Sequence, residues 1–307
     1  MTDTVKNPDA SDITHETWVD RLAPAGWRPY LHLARIDRPI GTWLLLLPGW
    51  WSLALAADGM PDLYLMVLFG VGAVVMRGAG CTLNDLADRN FDHQVARTAT
   101  RPLPSGRVTI LQAFLFLILL SLIGFLVLVQ FNTFAVVLGM ASLALVVIYP
   151  FMKRFTYWPQ LVLGFTFNWG ALLGWAAVKG DLSLAPGLLY MAGIFWTLGY
   201  DTIYAHQDKD DDILIGVKST ALKFRDATRG WLVAFYGFTI LLMAWAGTEA
   251  AASWPYYVGL GAAALHLLWQ VATVDIHDPK NCLARFRSNR DFGLIVLAAI
   301  VAGNLFG

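Results

Sequence analysis

The chain has 307 residues, 57% hydrophobic and 14% charged, with lysine plus arginine balancing aspartate plus glutamate at 22 each. Soluble domains run nearer half apolar and about a quarter charged, so an ordinary water-soluble globule is excluded and a membrane is the first reading. The neutral balance by itself identifies no partner, and nucleic acid is not expected.

A bilayer core about 30 Å thick needs roughly 20 apolar residues per helix. Nine stretches qualify: roughly 40–58, 62–83, 111–129, 133–151, 159–178, 185–204, 230–247, 254–274 and 291–307. The loops between them are too short to fold separately. The predicted fold is therefore all-α, a polytopic bundle of nine transmembrane helices over residues 36–307, preceded by a polar tail and interfacial segment over residues 1–35. Apart from Lys6, Arg77 and Lys179, every lysine and arginine lies before the first span or after the second, fourth, sixth or eighth. The positive-inside rule then puts the N-terminus and both acidic loops in the cytoplasm and the C-terminus outside, as in a bacterial inner membrane. Cys81 in a span and Cys282 in a loop are not expected to pair. The first 35 residues carry Asp3, Asp9, Asp12 and Glu16 and no apolar run of a cleaved signal peptide.

Residues 1 to about 14 are polar. From His15 to Ala34, Trp18, Leu22, Trp27, Tyr30, Leu31 and Leu33 are mixed with arginines, as in a segment lying on a membrane surface. Pro24 and Pro29 should break it into short pieces. Arg35-Ile36-Asp37-Arg38-Pro39-Ile40-Gly41 leads into the first span, with Pro39 tolerated in its opening turn. Arg35 and Arg38 read equally well as interfacial anchors and as phosphate contacts.

The second span runs into Asn84-Asp85-Leu86-Ala87-Asp88-Arg89-Asn90-Phe91-Asp92. If the helix continues, the carboxylates at 85, 88 and 92 share one face with Asn84. Like charges so close drive one another toward protonation unless a cation neutralises them, and oxygen ligands on one surface suit Mg²⁺. Arg77 lies inside the span, seven residues before Asn84 and about 10 Å along the same face. A guanidinium in hydrocarbon is costly unless it is paired or faces a cavity. It is either a buried cation paired within the bundle or an anion site on the wall that carries the acidic cluster. Arg97 and Arg101, four apart and able to share a helical face before the Pro102, Pro104 and Gly106 loop, suit a polyphosphate.

Spans three and four supply packing and lipid-facing surface. Tyr149 and Lys153, four apart at the end of the fourth, point into one mouth or serve as an interfacial belt. Asn168 in the fifth is interhelical glue or a ligand contact. The sixth ends in a second acidic stretch, in which Asp201, Asp208 and Asp212 fall on one helical face beside Tyr204, while Asp210 and Asp211 read as a solvated charge run. Apolar span, acidic face and basic loop thus occur twice, a repeat of organisation rather than of letters. Spans seven to nine close the bundle. His266 is a packing residue, and no histidine or cysteine spacing supports zinc.

Two carboxylate faces at helix ends can hold two or more Mg²⁺ between them, and Arg97, Arg101 and Lys153 complete a diphosphate clamp. A diphosphate held against a membrane cavity suggests a lipid tail, and intramembrane aromatic faces can stabilise an allylic cation. Asn84-Asp85-x-x-Asp88-x-x-x-Asp92, Asp201-x-x-Tyr204-x-x-x-Asp208 and the Arg35–Gly41 entry resemble the UbiA-type intramembrane prenyltransferases. Met76–Cys81, Arg101–Gly106, Tyr149–Arg154 and Lys218-Ser-Thr resemble the branch that uses 4-hydroxybenzoate in the ubiquinone pathway. The resemblance implies a nine-helix bundle, Mg²⁺ and a polyprenyl diphosphate donor in the bilayer, with no protein partner. It implies metal and diphosphate roles for Asn84, Asp85, Asp88, Asp92, Asp201 and Asp208, with Asp212 as a further ligand on the second face. Asp85, Asp88, Asp201 and Asp208 would be catalytic. Arg97, Arg101 and Lys153 would contact diphosphate, Tyr149 and Tyr204 would line the substrate site, and Arg77 would meet the acceptor's carboxylate.

The rivals are a UbiA-type enzyme with homogentisate, naphthoate, chlorophyllide or haem as acceptor, a CDP-alcohol phosphatidyltransferase, and a cation transporter. The phosphatidyltransferase signature, Asp-Gly-x-x-Ala-Arg, is absent. Transporter acids belong near the midplane, whereas these lie at helix ends beside arginines.

Overall fold

A computed structural model of the chain describes residues 17–92, 98, 100–207, 209, 212–213 and 216–306, and only the backbone of residues 90–92. The polar tail lies outside that range. Among the described residues all regular structure is helical, as predicted. In chain order the helices are α1 (Trp18–Leu22), α2 (Arg28–Leu33), α3 (Ile40–Ala56), α4 (Leu63–Asp92), α5 (Ile110–Leu128), α6 (Thr133–Ala141), α7 (Leu143–Ile148) and α8 (Met152–Phe155). There follow α9 (Pro159–Phe167), α10 (Trp169–Lys179), α11 (Leu184–Ala205), α12 (Thr220–Phe224), α13 (Thr228–Glu249), α14 (Trp254–Thr273), α15 (Pro279–Arg287) and α16 (Asn289–Leu305). Among the described residues each predicted apolar stretch is mostly helix. Among the described residues five segments are long and apolar enough to cross a bilayer: Leu63–Arg89, Ile110–Leu128, Thr133–Phe155, Pro159–Lys179 and Thr220–Glu249.

Two stretches expected as single helices are broken. The fourth bends at Ser142, whose hydroxyl donates back to the Gly139 carbonyl at 2.6 Å, a local bond that competes with the helical ladder. A 3-10 turn at Tyr149–Phe151 containing Pro150 follows. The fifth breaks at Asn168, whose side-chain amide donates to the Gly164 carbonyl at 2.8 Å.

The described residues form two compact units, one from those up to 41 with 74–126, the other from 42–73 with those from 127 onward. In the first, Leu33, Leu103, Val108 and Ala113 form a small core, with Tyr30, Leu86 and Phe116 packed on it. The interfacial segment is two short helices, α1 and α2, as the prolines predict. Thr17 opens α1 by donating both its backbone N–H and its hydroxyl to Asp20, the capping pattern that satisfies orphan groups at a helix start. The opposite face of α5 leaves Leu111, Phe114, Leu115, Ile118, Leu119 and Leu122 exposed, a surface suited to lipid and not to water.

In the second unit α11 is the central post. Fourteen of its 22 residues are buried, and it packs on α9, α10, α12, α13 and α15. Trp51, Trp196, Tyr200 and Phe292 interlock beside it with ring centroids 5.0–6.2 Å apart. The Trp51 ring N–H donates to the Gly293 carbonyl and that of Trp196 to the Asn289 side chain, so each buried indole keeps a partner.

Candidate active site

The acidic cluster sits where the sequence predicts, because the second span does not stop at the edge of its apolar run. α4 continues to Asp92 with no proline or glycine after Gly80 to end it. Asn84 is half-buried, and Asp85 and Asp88 are 1% and 0% exposed. Asp92 closes the helix, its side chain outside the described residues.

A carboxylate so deeply buried must be paired. The Arg35 guanidinium donates through one nitrogen to both Asp85 oxygens at 2.9 and 3.0 Å, and Arg101 approaches Asp85 Oδ1 at 3.3 Å. Arg35 is thus a partner of the acidic face. Its place follows from the chain just before it. Arg35 has φ 57°, a left-handed conformation uncommon outside glycine, and its Nη1 donates to the His32 carbonyl at 2.9 Å. His32 lies between two carboxylates, 2.9 Å from Asp20 and 3.4 Å from Asp37, and Asp37 also accepts from Arg38 at 3.1 Å. The hydrogen bond to Asp37 raises the His32 pKa above its ordinary 6.5, against the opposing effect of burial, and Asp20 adds to the rise. Asp37 is buried, which would raise its pKa, yet the bonds to His32 and Arg38 hold it below the usual range. Sequence reasoning missed this network. The signal was available: two arginines and a buried-side acid packed into seven residues ahead of a helix, beside an acidic cluster short of counter-charge.

Arg101 lies in a bend rather than on a helical face, because the residue before a proline is pushed out of the helical region. Arg97 lies outside the described residues. The half-buried Arg77 guanidinium lies against the backbone of Gly41.

In the second unit Asp201 and Tyr204 lie half-buried on the last turn of α11, Tyr204 against Phe286 with ring centroids 4.4 Å apart. The single-face reading of Asp201, Asp208 and Asp212 does not extend that far. α11 ends at Ala205, and the Gln207 side chain donates to the Tyr204 carbonyl, satisfying one of the orphan carbonyls of a helix end. Asp212 therefore stands beyond the turn on a separate helical segment, and Asp208 lies outside the described residues. His206 hydrogen-bonds Thr228 at 2.9 Å. Burial, then the nearby Lys209 and His277, push its pKa down to about 4, so it stays neutral at pH 7.

Tyr149 and Lys153 are both half-buried, on the 3-10 turn and on α8. The Lys153 carbonyl accepts from the Lys218 backbone N–H at 2.9 Å, which fixes this corner. Asn168 acts as glue: its amide donates to the Thr197 hydroxyl on α11 at 2.8 Å. His266 meets the Ser288 carbonyl at 3.1 Å, a packing role as predicted. Cys81 and Cys282 are free thiols.

The donor set fits Mg²⁺. Asn84, Asp85 and Asp88 present hard oxygens on one helix face. Among the described residues no three or more acidic, histidine or cysteine side chains form a closed cage. Mg²⁺ needs none, since it is held by one or two carboxylates together with waters and substrate phosphates.

A profile of the UbiA prenyltransferase family matches residues 45–296. The chain belongs to this family. The UbiA fold is seen again in a UbiA homologue from Aeropyrum pernix K1, 28% identical, with a TM-score of 0.69 over 85% of this chain and 96% of that one. A UbiA homologue from Archaeoglobus fulgidus, solved bound to GPP and Mg²⁺, has a TM-score of 0.62 at 16% identity over 89% of this chain and 99% of that one. Among UbiA relatives, the Rattus norvegicus protein named "4-hydroxybenzoate polyprenyltransferase, mitochondrial" is 52% identical over 287 residues, 92% of this chain and 77% of its own length.

Proposed function

We propose that this UbiA-family chain transfers a polyprenyl group from polyprenyl diphosphate to 4-hydroxybenzoate, on the ring carbon ortho to the hydroxyl, releasing pyrophosphate, as a step of ubiquinone biosynthesis. The observation that carries it is identity of about half, across nearly the whole chain, to proteins named for that reaction. The paired charges at the end of α4 agree with it, since guanidiniums already engaged with a carboxylate present the geometry that a diphosphate takes up.

In this reading the residues divide the work. Asn84, Asp85, Asp88, Asp92, Asp201, Asp208 and Asp212 supply the oxygens for Mg²⁺, which when bound neutralises charge on the diphosphate and on the departing pyrophosphate. Arg97, Arg101 and Lys153 hold the diphosphate oxygens, while Tyr149 and Tyr204 border the substrate. Arg77 receives the acceptor's carboxylate and so turns the ring. The allylic C–O bond of the donor breaks, the ring carbon forms the new C–C bond, and the ring proton leaves to a carboxylate of the second acidic stretch, restoring aromaticity. Arg35 orients Asp85.

The nine apolar helical stretches make nine crossings in this proposal, with the N-terminus and both acidic stretches on the basic-rich side. We place the protein in a bacterial inner membrane with that side cytoplasmic. The rat relative is named as mitochondrial, so fractionation of the native host checks the compartment. Membranes containing the protein, given labelled 4-hydroxybenzoate, a polyprenyl diphosphate and Mg²⁺, should form a prenylated acid and pyrophosphate, and EDTA should stop both. Prenylation of homogentisate or a naphthoate in place of 4-hydroxybenzoate would reassign the acceptor.

A further inference from the structure

We infer that Gly41 is a positioning residue for the acceptor site: it is glycine so that the Arg77 guanidinium can lie across the start of α3, and any side chain there turns that guanidinium away from the acceptor's carboxylate. The inference rests on the reading of Arg77 given above. A Cβ on Gly41 would fall 2.5 Å from Arg77 Nε, 2.6 Å from Nη2 and 2.8 Å from Cζ. The contact is with the charged fork itself, not with its aliphatic stem.

The backbone does not ask for glycine at this position. Among the described residues the glycines with positive φ are Gly59, Gly106, Gly180 and Gly216, whereas Gly41 is the second residue of α3, where alanine is the better helix former. Nor can α4 retreat from a new methyl group. One residue along, a Cβ on Gly78 would come within 3.0 Å of Ala34 Cβ and 3.1 Å of Leu120 Cδ1, so the α4 backbone is already held close between two neighbours. The Arg77 side chain is what can give. The atoms that a Gly41 Cβ would meet are the far end of a long side chain, so Gly41→Ala relocates the guanidinium rather than the backbone. Recognition of a carboxylate by a planar fork depends on its direction, and a misplacement of about 1 Å can cost on the order of a hundredfold in rate.

The test is Gly41→Ala, Arg77→Ala and the double variant, purified as the full chain with Mg²⁺ and assayed with each substrate varied in turn. For Gly41→Ala we expect the KM for 4-hydroxybenzoate to rise about tenfold or more and the KM for polyprenyl diphosphate to stay within about twofold. In the double variant the glycine change should add nothing to the loss caused by Arg77→Ala, since it acts only through that side chain. An unchanged acceptor KM in Gly41→Ala, equal rises in both KM values, or additive losses would overturn the inference while leaving the role of Arg77 standing. If Arg77→Ala itself leaves the acceptor KM unchanged, the reading of Arg77 fails and takes the inference with it.

Discussion

The two acidic stretches come at the ends of long apolar helices and look alike as sequence, yet they are built differently. At the end of α4 a carboxylate is held by full charges, Arg35 and Arg101 on Asp85, brought from 50 residues before and 16 after. At the end of α11 Thr202 donates to the Leu198 carbonyl and meets the Thr220 hydroxyl, both at 2.6 Å, His206 meets Thr228, and Tyr204 lies on Phe286. Asp85 is set by charge pairs, and Thr202 and His206 by neutral bonds on a helix most of whose residues are buried. A charge-held face responds strongly to loss of one partner, while a neutral scaffold loses one modest bond at a time.

The largest effect should erase the difference. Asp88→Ala and Asp208→Ala should each lower Mg²⁺-dependent transfer by about 10²–10³-fold or more, the scale for removing one group that stabilises developing charge. Turnover in purified enzyme measures it. Near-normal activity in either variant would remove that residue from the mechanism and leave one stretch to do the work of two.

Stability should separate the stretches again. Arg35→Ala leaves the buried Asp85 with a weaker set of partners, and breaking such a pair costs about 3–5 kcal/mol. Thr202→Val removes neutral hydrogen bonds on α11 and should cost about 1 kcal/mol. Thermal unfolding in detergent compares them, and adding Asp85→Asn to Arg35→Ala should recover part of the loss because the uncompensated charge is gone. Equal losses for Arg35→Ala and Thr202→Val would mean that the Asp85 pair is no more critical than a hydroxyl bond.

What could be read in advance follows the same division. Apolar runs fixed the helical class and the location of each stretch, because burying backbone in lipid leaves few alternatives to a helix. The placement of Asp85 and Asp88 on one face was legible because the 3.6-residue period carries through α4. The breaks at Ser142 and Asn168 were not, since each depends on a side chain turning back on its own helix, a choice that hydropathy does not record. The pairing of Arg35 with Asp85 was not legible because the two lie 50 residues apart. The end of the sixth span near residue 204 was legible, but the single-face reading of Asp201, Asp208 and Asp212 ran past it because the acidic letters continue where α11 stops at Ala205.

The smallest effect concerns the segment that aims Arg35, and it should appear as pH dependence. Asp37, then Asp20, raise the His32 pKa above 6.5, so its contribution to stability is complete below about pH 6.5 and is lost as pH rises through the folded-state value. Asp20 is held down at about 2: burial opposes the shift, and hydrogen bonds from Thr17 and His32 more than offset it. Its contribution is present above 3.8 and is lost only as pH falls through about 2. The network is therefore complete between those limits and opens first on the alkaline side. Hydrogen exchange across α1 and α2 should quicken from pH 6 to pH 9, after correction for the intrinsic rate, and His32→Gln should flatten that change. Because Arg35 donates to the His32 carbonyl, part of the change should reach the Asp85 pair and nothing comparable should occur around Thr202. Equal pH dependence at both helix ends would show that the histidine is not what distinguishes the charged face from the neutral one.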